Sequence, residues 1–291
     1  MLKRDNLYLL RQKISSYLGD IGSYVVNEGN VQYRYLESGS EHSDCIVFLH
    51  GLLGTKSQWR GLMEELSKTH RVIALDIPGL SSSVKESTAQ YDFNSLSLYL
   101  NHFLASVNVN QAALVGHCVG GNLAQLFERQ FPNLVKELIL ISPVGMELED
   151  KTVLVPKVSQ FRHMLDFNSF DEFNNLVNNL FYQPVKIAKL LIELRMKELL
   201  RNKGSIIQVV KDLEKSLSST VAALCDSDSR RLIICGDADI YVDKEDFKIF
   251  NLCTNAEFVL IEQCGHVPFL EYPKKTDQLV REFLLNAHTS H

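Results

Sequence analysis

Cysteine is scarce in this chain, six in 291 residues, and the count argues against both a disulfide framework and a metal site. Positive charge is not in excess either. Thirty Lys and Arg stand against 35 Asp and Glu, a net charge of −5, which leaves no electrostatic footprint for nucleic acid. No run of 18 apolar residues occurs, so no stretch reads as a membrane-spanning helix. Near the start, Leu7-Tyr8-Leu9-Leu10 is broken by Arg11 and Lys13, too early for a secretory h-region. Internal repeats and low-complexity stretches are absent. The expectation is a cytoplasmic protein with reduced thiols, long enough to bury about three quarters of its unfolded surface without staples.

What the chain does have is a series of short, unalternated apolar runs. Cys45–Leu49, Arg71–Leu75, Ala112–Val115, Leu138–Ile141, Leu232–Cys235 and Phe258–Ile261 each end in polar or glycine-containing turns. Runs of this length without alternation are buried on both faces, as in parallel sheets. Helical periodicity separates them, at 58–69, 93–106, 120–130, 243–251 and 274–287, which predicts a mostly parallel, doubly wound α/β sheet of about eight strands. Strand patterns at Ser23–Val26 and Val31–Leu36, joined through Glu28-Gly29-Asn30, read as a hairpin before it. Residues 5–18 read as an amphipathic helix with Leu7, Leu10, Ile14, Tyr17 and Leu18 on one face. Between Pro143 and Arg230 only helical patterns appear, chiefly Phe170–Phe181, Lys186–Leu200 and Ser205–Leu217. So long an interval is not a loop, and it predicts an all-helical cap over the strand ends, where open α/β sheets keep their ligands. The predicted organisation is an N-terminal helix (1–20), a core (21–145 and 226–291) and a cap (146–225).

The sharpest chemical signal is Gly116-His117-Cys118-Val119-Gly120, placed between a buried strand and a helix. It has the form of a nucleophile elbow, in which flanking glycines let strand and helix backbones meet around a strained residue. The helix N-terminus favours an anion there, and a thiolate is one. A nucleophile needs a base, and the base needs an orienting acid. Asp239, in Gly236-Asp237-Ala238-Asp239, and His266, in Gln263-Cys264-Gly265-His266, follow the last two predicted strands in the chain order nucleophile, acid, histidine. A fourth element is His50-Gly51-Leu52-Leu53-Gly54. The backbone N–H groups of Leu52 and Val119 are the candidate donors to an oxyanion, with His50 a hydrogen-bonding support beneath the loop.

These stretches resemble the α/β-hydrolase fold superfamily, in its monoacylglycerol lipase and lysophospholipase branch. The resemblance runs over about 22–287 and is carried by His50-Gly51-Leu52-Leu53-Gly54 through Trp59, Asp76-Ile77-Pro78-Gly79, Leu114-Val115-Gly116-His117, Val119-Gly120-Gly121-Asn122, Ser142-Pro143-Val144-Gly145-Met146, and Leu260 through His266 to Glu271-Tyr272-Pro273. It implies a helical lid and ester hydrolysis by Cys118, Asp239 and His266 without a cofactor. Leu53, His117, Phe181 and Val267 are the expected substrate contacts. The implied partner is a lipid or small-molecule ester, with peripheral membrane contact through the N-terminal helix or the cap. Two departures stand out. Cys118 occupies the family's serine position, and Gly79-Leu80-Ser81-Ser82-Ser83 lacks the second glycine of that turn.

Sulfur at the nucleophile opens further readings. A thioester is attacked by amines, thiols and alcohols, so an acyltransferase or a thioesterase could use the same triad. Dienelactone hydrolases and polyhydroxyalkanoate synthases resemble this chain in carrying cysteine at the elbow. A serine hydrolase whose nucleophile has been replaced by cysteine would read the same way. A hydrolase fold kept as a ligand receptor is the non-enzymatic alternative.

Overall fold

A computed structural model describes residues 21–29, 31–81, 90–144, 146–148, 151–154, 164–220, 229–242 and 255–286. The helices expected over 5–18 and 243–251 lie outside these residues. Each apolar run forms a strand: β3 (Cys45–Leu49), β4 (Arg71–Leu75), β5 (Ala112–His117), β6 (Val135–Ile141), β9 (Arg230–Gly236) and β10 (Ala256–Ile261). They pair in parallel in the order β4-β3-β5-β6-β9-β10. The hairpin β1 (Gly22–Glu28) and β2 (Val31–Ser38) completes an eight-stranded sheet, with β2 antiparallel to both β1 and β4.

Alternate residues of each central strand feed two separate cores. Val47, Leu49, Leu114, Leu140 and Ile233 face one, beneath α2 (Phe93–Ser106) and α3 (Val119–Gln130). Ile46, Phe48, Val115, Ile139 and Ile234 face the other, beneath α1 (Arg60–Leu66) and α7 (Pro273–Asn286). This is why the central runs carry no polar alternation: β3, β4, β5, β6 and β9 are almost wholly buried on both faces. By contrast β1 lies at the sheet edge and leaves Tyr24 and Val25 exposed.

Between β6 and β9 the chain holds α4 (Phe170–Asn178) and α5 (Lys189–Thr220). Ser169 caps α4 by accepting from the Glu172 N–H, and the Glu172 carboxylate reaches back to the Asn168 N–H at 2.7 Å. The interval differs from expectation in two respects. It opens on a short ribbon, β7 (Met146–Leu148) against β8 (Lys151–Leu154), so it is not purely helical. Three-residue strands show too few alternations to be read from sequence. The helices expected at 186–200 and 205–217 are one continuous α5, running through Gly204, because a lone glycine costs only about 1 kcal/mol against alanine. Among the described residues no helix is long and apolar enough to cross a membrane.

One buried ion pair ties this frame together behind the elbow. Arg231 on β9 donates from Nη2 to Glu128 on α3 at 2.8 Å, with both side chains under 5% exposed. Removing one partner strands the other charge in the interior, at about 3–5 kcal/mol. Glu128→Ala is therefore expected to lower the unfolding free energy by about that much in urea titration. Glu65→Ala, which breaks the exposed pair with Lys68, should cost under about 1 kcal/mol. Equal losses in the two variants would refute the reading.

Candidate active site

Cys118 sits between the end of β5 and the first turn of α3 with φ +53° and ψ −122°. A non-glycine residue here is strained by about 1–3 kcal/mol. The backbone is held in place by the Cys118 N–H donating to the Ile141 carbonyl of β6 at 3.1 Å, and by the Gly121 N–H donating to the Cys118 carbonyl at 2.9 Å. The flanking glycines are required by contact. A Cβ on Gly116 would lie 2.5 Å from the Gly120 carbonyl oxygen, and one on Gly120 would lie 2.3 Å from that of Leu49. Strand, turn and helix are thus pressed together until only hydrogen fits.

His266 follows β10 and Asp239 follows β9. Their side chains meet, His266 Nδ1 to Asp239 Oδ2 at 2.8 Å, and both residues are buried. The other carboxylate oxygen accepts from the Tyr241 backbone N–H at 2.8 Å, and the Tyr241 ring stands edge-on to the imidazole at 4.9 Å. A carboxylate only accepts, so Nδ1 carries a proton bound to Asp239, and Nε2 is the nitrogen left to exchange a proton with a neighbour. Nε2 is buried and holds no hydrogen bond among the described residues. Burial alone would strip this imidazole of its charge. Asp239 and the nearby Cys118 sulfur outweigh that and raise its pKa to about 10.

Two further histidines lie close by and behave oppositely. His50 accepts from the Ile77 N–H at Nε2 (3.0 Å) and donates from Nδ1 to the Gly51 carbonyl (2.8 Å). Burial lowers its pKa to about 4. His117 Nε2 donates to the His266 carbonyl at 2.9 Å, and burial together with the His266 charge drives its pKa well down. His117 therefore braces the backbone of His266 as a neutral ring.

The expected donors, the N–H groups of Leu52 and Val119, make no hydrogen bond among the described residues. Cys118, His266, Leu52, Leu53, His117, Phe181 and Val267 all border one cavity of about 470 Å³. Met164, Phe173, Leu180, Ile187 and Ile192 supply much of its remaining wall. Three contributors were not anticipated in these roles. Tyr241 carried no signal, Arg195 reads in the sequence only as one of several helix charges facing solvent or a lipid headgroup, and Glu271 stood only within a matching stretch. The Glu271 carboxylate accepts the N–H groups of Gly265 (2.9 Å), Tyr182 (3.2 Å) and Gln183 (2.9 Å), while the His266 N–H donates to the Leu180 carbonyl at 2.7 Å. The histidine loop is thereby stitched to the segment that follows α4.

Residues 44–273 match the alpha/beta hydrolase fold family, and the chain belongs to that family. Among its curated relatives, monoacylglycerol lipase ABHD6 of Rattus norvegicus is 25% identical, across 90% of this chain and 82% of that protein. The 2-hydroxymuconate semialdehyde hydrolase of Pseudomonas sp. (strain CF600) is 27% identical, across 92% and 95%. Among solved structures, a bacterial membrane phospholipase A superposes with a TM-score of 0.83 at 24% identity, covering 98% of this chain and 93% of that one. The Rhodococcus 2-hydroxy-6-oxo-6-phenylhexa-2,4-dienoate hydrolase gives 0.80 at 18% identity, covering 91% and 99%.

Two outcomes are expected. Burial pushes the Cys45 and Cys264 thiols up to about 12 and raises that of Cys235 well above its ordinary value. Iodoacetamide should then label Cys118 ahead of these three, and His266→Ala should slow that labelling about tenfold or more, read by peptide mass spectrometry. Equal rates in the two proteins would break the Cys118–His266 pairing. The raised pKa of His266 also has a stability signature. Unfolded histidine loses its proton near pH 6.5 while the folded residue keeps it to about 10. The stabilisation is thus whole below about 6.5 and fades as the pH climbs to about 10. Asp239→Asn should flatten this dependence in urea unfolding at pH 6.5, 8 and 10, and an unchanged slope would count against it.

Proposed function

We propose that this chain hydrolyses carboxylic esters of lipid-like substrates, such as monoacylglycerols or lysophospholipids, through a covalent acyl-enzyme on Cys118. The observation that carries the reading is the buried His266–Asp239 pair, whose histidine shares with Cys118 one largely apolar cavity. His266 Nε2 holds the proton taken from the Cys118 thiol, and the sulfur adds to the ester carbonyl as the thiolate of that pair. The oxyanion that forms is met by the N–H groups of Leu52 and Val119. Collapse expels the alcohol, which receives the proton back from His266 and leaves a thioester. Water, deprotonated by the same nitrogen, attacks the thioester, releasing the acid and restoring the thiol.

In this reading residues 146–225 form a cap on the core of 21–145 and 226–291, and the cap's inner wall takes the acyl chain. Leu190, Leu191 and Leu194 at the start of α5 stand exposed, and Leu191 also borders the cavity. They offer a membrane-borne substrate a short apolar route to Cys118. That two of the relatives are described as a monoacylglycerol lipase and a membrane phospholipase supports the same substrate class. A transferase reading rests on the sulfur, since a thioester is open to alcohols and amines.

The test is intact-mass spectrometry during incubation with p-nitrophenyl esters of graded chain length. The expected result is an adduct equal to the acyl group minus one hydrogen, turnover in water alone, and a loss of about 10⁴-fold or more in Cys118→Ala. Turnover only with added alcohol or amine would identify a transferase. Neither adduct nor turnover with any ester would overturn the proposal.

A further inference from the structure

The backbone around Leu52 is held by partners on both sides. The Gly51 carbonyl accepts from the Gly54 N–H at 3.0 Å and from His50 Nδ1 at 2.8 Å. Every described peptide bond is trans, so the N–H of Leu52 points away from the Gly51 carbonyl. The next parts of the loop are held from a different region of the chain. Arg195, on α5, donates from Nε to the Leu53 carbonyl at 3.1 Å and from Nη2 to the Gly54 carbonyl at 2.9 Å. Its third nitrogen, Nη1, faces Glu198 at 2.8 Å. The side chain is only 16% exposed and borders the cavity that also holds Leu52 and Cys118.

We infer that Arg195 is a positioning residue for the oxyanion loop, clamping it from the cap so that the Leu52 N–H stays aimed at the reacting carbonyl. The inference rests on the ester-hydrolase reading. The shape of the group supports it: a planar guanidinium presents parallel donors to two successive carbonyls, which an ammonium on a flexible stem cannot reproduce. Glu198 compensates the charge, so the fork is free to serve the loop. The charge is also felt beneath the loop. Burial chiefly keeps His50 neutral, and Arg195 adds to that effect. His50 thus stays in the tautomer that donates to Gly51. In this arrangement the oxyanion site is complete only while α5 is seated on the core.

A positioning role and a plain structural strut make different predictions for two reactions of the same sulfur. Alkylation of Cys118 by iodoacetamide is a direct displacement that builds no oxyanion, whereas acylation by p-nitrophenyl butyrate does. Arg195→Met keeps the aliphatic stem and removes the fork, and Arg195→Lys keeps the charge and loses the paired geometry. In Arg195→Met, the burst of p-nitrophenolate is expected to slow about ten- to hundredfold, toward the loss seen when an oxyanion donor is removed. Alkylation should stay within about twofold of the parent, and Arg195→Lys should recover only part of the acylation rate. Parallel loss of both reactions in Arg195→Met and Arg195→Lys would mark a general structural role and overturn the inference. So would acylation at the parental rate in either variant. If the parent protein itself is not acylated by any ester, the ester-hydrolase reading falls and takes this inference with it. Normal parental acylation with unaffected variants removes the inference alone.

Discussion

The site depends on one close approach, that of the end of β5 to the first turn of α3. Gly116 and Gly120 lie so near each other and the end of β3 that neither tolerates a Cβ. That contact forces Cys118 into a positive-φ conformation, a strain that persists only because the surroundings over-determine it. Here the surroundings are the Ile141 carbonyl, the Gly121 N–H and two cores packed on either face of the sheet. β3 and β5 pair directly in the sheet, so the loop carrying Leu52 and the turn carrying Cys118 leave it side by side and border one cavity. Neighbouring positions in the sheet order then bring in β9 and β10, which carry Asp239 and His266.

Holding the loops is a separate problem, and it is solved with backbone contacts. The histidine loop hangs on Glu271, the Leu180 carbonyl and His117, and the loop at Leu52 on His50 and Arg195. Most of these bonds cross between segments far apart in sequence, and several come from the interval between β6 and β9. A loop fixed from two sides costs no reorganisation when charge develops on the substrate, which is the condition for strong electrostatic stabilisation.

This division explains what could be read in advance. The six parallel strands were legible because burial on both faces erases polar alternation, and the elbow was legible because close approach demands glycine at fixed spacing. Cys118, Asp239 and His266 stand at strand ends in a recognisable order, and the structure draws Asp239 onto His266. The ribbon at 146–154 was not legible, since its strands are too short to show a period. Nor was the continuity of α5 through Gly204, where packing overrides a modest local preference. Tyr241, Glu271 and Arg195 all work through backbone groups: the Tyr241 N–H donates to the Asp239 carboxylate, the Glu271 carboxylate accepts main-chain N–H groups, and the Arg195 guanidinium donates to main-chain carbonyls. Partners of that kind leave no residue pattern, because any sequence offers N–H and C=O groups at every position.

Three buried histidines within this small region show how narrowly the chemistry is assigned. Burial disfavours the charge on all three. His117 faces another imidazole and a carbonyl, and the hydrogen bond to that carbonyl is too little to offset its desolvation. His50 does have a carboxylate nearby, Asp76 at 3.9 Å. That carboxylate hydrogen-bonds the Lys56 ammonium and backbone N–H rather than the ring, so its pull on His50 does not outweigh burial and the ring stays neutral. Asp239 meets no cation of this kind in the described structure; its partners are the Tyr241 amide and His266 itself. Its charge is therefore available to the imidazole it bonds, that of His266. What singles out His266 among equally buried rings is a carboxylate in direct hydrogen bond at 2.8 Å, with the Cys118 sulfur beside the ring, and both are set by the fold around the histidine rather than by the histidine itself.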